Sequence, residues 1–143
     1  MAHHFEQTCA YFTAARYMRT VEQVADRIFA PTGLKPAYAY IMMALEDEQP
    51  QTVVQLAQRL GYERSSLYRM AQTLERQGLL QMTSTGRASS LALLPASAAF
   101  LKIANQCLAE FGQYTDTKLG ADKVAMTCLL TSNNQKLRSE KHD

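Results

Sequence analysis

Between residues 5 and 29 the chain carries no glycine or proline, and Ala10, Ala14, Tyr17, Val21, Val24 and Ile28 recur three and four positions apart. This is the helical period, and it predicts one long amphipathic helix. Pro31, Thr32 and Gly33 break it, and Pro36 suits the first turn of a second helix running to about Leu45. That second helix holds Tyr38, Tyr40, Ile41, Met42, Met43 and Leu45, apolar on every side, which predicts burial on more than one face. After a polar turn, Thr52 is a candidate N-cap for a short helix with Val53, Leu56, Ala57 and Leu60 inward, ended by Gly61.

Residues 63–77 form the most informative stretch. Leu67, Met70, Ala71 and Leu74 make an apolar stripe, and the other face holds Arg64, Ser65, Tyr68, Arg69, Gln72, Thr73 and Arg76. That face is rich in hydrogen-bond donors and has no carboxylate, whereas a solvated helix face ordinarily mixes charge signs. Gly78 closes the helix. Residues 79–83 and 90–94 are short apolar runs around Ser84, Thr85, Gly86, Arg87 and Ala88, a predicted β-hairpin with one arginine near its tip. Two further helices are predicted over 96–118 and 121–136, split near Gly120, with Phe100, Leu101, Ala104, Leu108 and Phe111 as one stripe. The expected fold is mainly α with a small β-hairpin wing: a winged helix-turn-helix over 35–94, flanked by dimerisation helices over 5–30 and 96–137, in a single domain. The flanking stripes exceed what one small winged domain needs for its own core, so a symmetric dimer is expected to cover them.

Composition narrows the class. With 143 residues, 47% of them hydrophobic and 20% charged, the chain can bury a core, and ten glycines and prolines are too few for a linker or collagenous sequence. No apolar run approaches the roughly 20 residues of a membrane span, and the first ten residues lack a signal-peptide pattern, so a cytoplasmic protein without membrane partners is expected. The formal charge is only +2, but residues 52–94 carry five arginines against two glutamates, a net +3, with no lysine. Arginine suits forked contacts to phosphates and guanine edges, although five over this length also fit a solvated surface.

Over residues 52–80 the chain resembles the MarR family of dimeric winged-helix regulators. Leu56–Ala57, Leu60–Gly61, Ser65–Ser66, Arg69, Leu74–Glu75 and Gln77–Gly78–Leu79 fall where that family places its helix-turn-helix signature, and the flanking helices match in order over about residues 5–137. The resemblance implies a homodimer on double-stranded DNA, most simply a repressor on a pseudo-palindromic operator. It further implies that Arg64, Ser65, Ser66, Tyr68, Arg69 and Thr73 enter the major groove, with Arg76 on phosphate and Arg87 at the wing. The wing Thr85–Gly86–Arg87 keeps the family's arginine but not its aspartate, and Met82 stands where a further arginine is usual.

The family's small aromatic effectors imply a pocket from Arg16, Tyr38 and Met42, with Tyr40 and Met43 nearby; core packing by gap-filling methionines is the competing reading. Cys9 falls near the peroxide-reactive cysteine of the family's hydroperoxide sensors, with Cys128 as a resolving partner. The two tyrosines those sensors use are matched here by Gln23 and Lys35, and packing is again the alternative. Cys107 reads as structural. His3, His4 and His142 have no carboxylate or thiol at ligand spacing, so no metal or cofactor is expected, and with no phosphate loop or nucleophile elbow neither is an enzyme. The alternative function is a winged-helix protein-interaction module, antirepressor-like, without specific DNA binding.

Overall fold

The computed structural model describes residues 3–139, with Thr85 by its backbone alone, so His142 lies outside the described residues. Two compact units divide within one helix, residues 1–108 and 109–143.

The first unit begins with α1 (Phe5–Thr8) and α2 (Ala10–Ile28), where one continuous helix was predicted. The break is at Cys9, whose extended backbone (φ −85°, ψ 121°) interrupts the ladder while its Sγ accepts the Phe12 N–H at 3.5 Å. Phe5 then lies edge-on to Phe12 at 4.9 Å, and the Arg16 guanidinium sits 5.1 Å from the Phe12 ring centre while donating to the Glu6 carbonyl. Of α2's apolar stripe only Ile28 is buried, and Tyr11 stands 84% exposed.

A 3₁₀ turn (Ala30–Thr32) ends at Gly33, whose φ of 78° is the left-handed conformation that glycine adopts without steric cost. Helix α3 (Pro36–Asp47) starts with the predicted proline and buries Ala39, Ile41, Met42, Met43, Ala44 and Leu45, as its all-round apolar pattern required. Its C-terminal carbonyls are satisfied from outside. Gln51 donates to the Ala44 and Glu48 carbonyls at 3.1 and 2.6 Å, and Arg59 reaches the Ala44 carbonyl at 3.2 Å and Asp47 at 2.9 Å.

Thr52 caps α4 (Val53–Leu60) as predicted, in a reciprocal box: its hydroxyl accepts the Gln55 N–H at 3.1 Å and its own N–H donates to Gln55 Oε1 at 2.8 Å. Gly61, at φ 80°, turns the chain toward α5 (Arg64–Arg76). Leu67, Ala71 and Leu74 of α5 are fully buried, packing into the same core as Phe29, Ile41, Leu45, Leu56, Leu80 and Leu91.

The hairpin is longer and tighter than predicted. β2 (Leu80–Thr85) and β3 (Ala88–Leu93) pair antiparallel from Leu80 opposite Leu93 to Thr85 opposite Ala88, leaving only Gly86 and Arg87 in the loop. Glycine in the first central position, here at φ 62°, is what a two-residue hairpin loop favours. The serines and threonines that read as loop in sequence complete the ladder instead. A third strand was not foreseen: β1 (Gln51–Thr52) pairs with β3, Gln51 opposite Leu91 and Thr52 opposite Ser90, so the sheet order is β1-β3-β2.

Helix α6 (Ser97–Leu119) buries Phe100, Leu101, Ala104 and Cys107 within the first unit, while Leu108 is exposed. In the second unit, α7 (Asp122–Ser139) follows Gly120, and Lys123 bonds the Gly112 carbonyl at 3.1 Å and Asp116 at 2.7 Å. No residue of α7 is buried; Val124, Leu129, Leu130 and Leu137 all stand exposed. No helix among the described residues is long and apolar enough to cross a membrane.

Candidate nucleic-acid interface

The apolar stripe of α5 decides which side chains it displays. With Leu67, Ala71 and Leu74 pinned in the core, the helical period turns Arg64, Ser65, Tyr68, Arg69 and Arg76 outward, and all five are exposed; Ser66 and Thr73 lie half-buried at the margins. Thr73 is already engaged, its hydroxyl donating to the Arg69 carbonyl at 3.3 Å and accepting from Arg76 at 3.2 Å.

Two side chains hold this helix against its neighbours. Glu75 Oε2 accepts the Met82 N–H at 2.9 Å, which ties the end of α5 to β2 and occupies one of the segment's two carboxylates. Arg59 is ion-paired with Asp47, so one of the five arginines counted in sequence is already paired with the carboxylate that ends α3. Arg64, Arg69 and Arg87 make no side-chain hydrogen bond or ion pair among the described residues. The unengaged arginines of the segment thus lie on the outward face of α5, at Arg64 and Arg69, and at the hairpin tip, at Arg87.

These two places share one open cleft of about 520 Å³. Arg64, Ser65 and Tyr68 line it from α5, Arg87 and Ser89 from the hairpin. Glu63, which the sequence places at the start of the helix over 63–77 and to which it gives no role in the site, lines the same cleft. It occupies the N-cap position of α5, yet its side chain makes no capping bond. That it shares a cleft with Arg87 could not be read from sequence, because this depends on where the hairpin folds relative to the start of α5.

The residues proposed for an effector pocket behave differently. Arg16 is committed to the α1–α2 junction, Met42 has no exposed surface and belongs to the core, and Tyr38 is half-buried. Tyr40 lies 5.7 Å from the Phe29 ring, and burial pushes its hydroxyl pKa above the ordinary tyrosine value. Cys9 is half-buried and serves as the cap of α2; Cys128 is exposed on α7, and Cys107 is buried.

A family profile described as the IclR helix-turn-helix domain matches residues 40–83, less than a third of the chain, from α3 into β2. No curated protein matches the chain by sequence. Solved structures match over nearly the whole chain. The transcriptional repressor CouR, bound to a 23-mer DNA duplex, superposes with a TM-score of 0.81 at 22% identity, covering 94% of this chain and 98% of its own. The PcaV transcriptional regulator from Streptomyces coelicolor, in complex with its natural ligand, gives 0.81 at 23% identity, over 95% and 98%. A MarR mutant from E. coli complexed with operator DNA gives 0.72 at 21%, over 92% and 98%. At these identities the likeness establishes architecture. The chain has the winged helix-turn-helix fold, complete from α2 to α7, that these regulators share.

Proposed function

We propose that this protein is a homodimeric, MarR-like transcription regulator, most simply a repressor, and not an enzyme. Its two α5 helices enter successive major grooves of a pseudo-palindromic operator, about 34–36 Å apart as in other helix-turn-helix dimers. The observation that carries this reading is the cleft between the start of α5 and the hairpin tip, where the unengaged Arg64 and Arg87 face the same space beside Ser65 and Tyr68. Arg64, Arg69 and Arg87 supply phosphate contacts, Arg76 staying with Thr73; Ser65, Ser66 and Tyr68 supply base-edge and methyl contacts. Thr73 adds its methyl group, since its hydroxyl is held within the helix.

The chain works as one domain in which helices 5–30 and 96–137 make the dimer. Exposed Tyr11 and Met18 on α2, and Val124, Leu129 and Leu130 on α7, support this, because such surface in a regulator of this fold is covered by a second copy. CouR and PcaV, structurally similar, are a DNA-bound repressor and a ligand-bound regulator. By the same logic a small aromatic ligand or an oxidant shifts DNA affinity here by its differential affinity for two dimer geometries.

The test is an Arg69→Ala variant titrated by fluorescence anisotropy against the protein's own upstream DNA. The reading predicts loss of binding with an unchanged melting temperature. Retained binding would contradict it, and wild-type protein that ignores DNA would turn the exposed Tyr68 face toward a protein partner instead.

A further inference from the structure

We propose, resting on the DNA-binding reading above, that Glu63 is a specificity-determining residue which accepts a hydrogen bond from a cytosine N4 amino group in the major groove. Its carboxylate is exposed, makes no capping bond to α5, and forms no ion pair with Arg64 or Arg87 although it shares their cleft. No capping hydrogen bond or ion pair with these arginines therefore holds it. Among the described side chains that line the cleft, Glu63 carries the only carboxylate; Glu75, the other carboxylate of the segment, lies elsewhere and is held by the Met82 N–H.

A carboxylate at that place cannot be neutral toward nucleic acid. Against a phosphate it repels, and it opposes the attraction that Arg64 and Arg87 provide. Against base edges it has one favourable partner class, the exocyclic amines. N-terminal residues of a recognition helix are those that reach base edges, and residue 63 immediately precedes the first residue of α5. Of the two amines in the major groove, adenine N6 stands beside the N7 acceptor, which repels a carboxylate; cytosine N4 has no such neighbour on its own base and is the established partner of Glu and Asp.

Glutamine makes the discrimination sharp. Glu63→Gln is nearly isosteric but can donate as well as accept, a pattern that pairs in bidentate fashion with adenine N6 and N7. Glu63→Asp keeps the charge but withdraws it by one methylene. Since the side chain makes no intramolecular hydrogen bond, Glu63→Gln is expected to melt near the wild type, and Glu63→Asp at or above it, aspartate being a preferred N-cap.

The experiment is selection from a randomised duplex pool, run in parallel on the full-length wild type, Glu63→Gln and Glu63→Asp, with affinities measured for the winning duplexes. The wild type is expected to enrich a two-fold motif with one cytosine per half-site that is preferred by about tenfold. Glu63→Gln is expected to change that position to adenine, and Glu63→Asp to lose the preference there, the remainder of the motif being unchanged in both. An identical motif in all three proteins, with glutamine merely tightening every duplex equally, overturns the proposal and leaves Glu63 as a repulsive charge. A wild type that binds but enriches no cytosine position also overturns it while leaving the DNA reading intact. A wild type that binds no duplex overturns both.

Discussion

Replacing Arg87 with alanine removes a guanidinium that has no partner within the chain, so its effect should fall on DNA affinity and spare stability. Among the described arginines of the winged segment, Arg64, Arg69 and Arg87 are unengaged, whereas Arg59 is bound to Asp47 and Arg76 to Thr73. A dimer then presents about six free guanidiniums; with each phosphate neutralised contributing roughly −0.9 to the slope of log K against log salt, the wild-type slope is about −5. Raising salt from 50 to 200 mM should weaken binding by about 10³-fold. Arg87→Ala deletes two of the six, giving a slope near −3.6 and a loss of about 10²-fold over the same range. The control is Arg59→Ala, which should leave the slope unchanged but lower stability, since its guanidinium caps α3 at Ala44 and pairs with Asp47. Anisotropy titrations at four salt concentrations measure both. Equal slopes for wild type and Arg87→Ala would refute the placement of the hairpin tip on phosphate, and a reduced slope in Arg59→Ala would refute the division of engaged from free arginines.

Three further outcomes follow from the packing. Thr52→Ala removes the hydroxyl that accepts the Gln55 N–H and should cost about 1 kcal/mol, read by chemical denaturation; a second substitution at Gln55 should add a further loss, because it removes the separate bond from the residue 52 N–H. Leu67→Ala, at a side chain with no exposed surface, should cost about 2–5 kcal/mol and weaken DNA binding through the loosened α5, whereas a loss below that range would mean the core is not packed there. Cys9→Ser should preserve or improve the α2 cap, since serine is a preferred N-cap, and should leave the melting temperature unchanged or raised; if it also leaves peroxide sensitivity of DNA binding unaltered, the thiol is a cap and not a sensor.

The parts of the fold written in local chemistry were legible from sequence. Thr52 with Gln55 three positions on, Gly61, and the stripe Leu67, Ala71 and Leu74 each specify their element within a few residues, and the structure places them as expected. Elements decided by distant partners were not. Cys9 is compatible with a helix, and nothing in its own chemistry announces the break that accompanies the Phe5–Phe12 ring contact. The two residues of β1 carry no strand signal of their own and are fixed by pairing with Leu91 and Ser90. The hairpin tip contracted to Gly86 and Arg87 because cross-strand pairing recruits polar residues that read as loop. The same division runs through the candidate site. The outward face of α5 follows from helical periodicity, but the pairing of Arg59 with Asp47 and the cleft that Glu63 and Arg87 both line depend on tertiary structure. Met42 is open in sequence to two readings, pocket lining or gap-filling core, and its complete burial in the structure fits the second.

The central claim is that the two α5 helices and wings of a dimer read one duplex. Its most direct test is a stoichiometric titration of the full-length protein into its own upstream fragment and into a scrambled duplex of equal length and composition, with the mass of the complex determined alongside. The account predicts two protomers per upstream duplex and an affinity for it at least about 10³-fold above that for the scrambled one at physiological salt. Equal affinity for the two duplexes, or a single protomer on the upstream fragment, would contradict it.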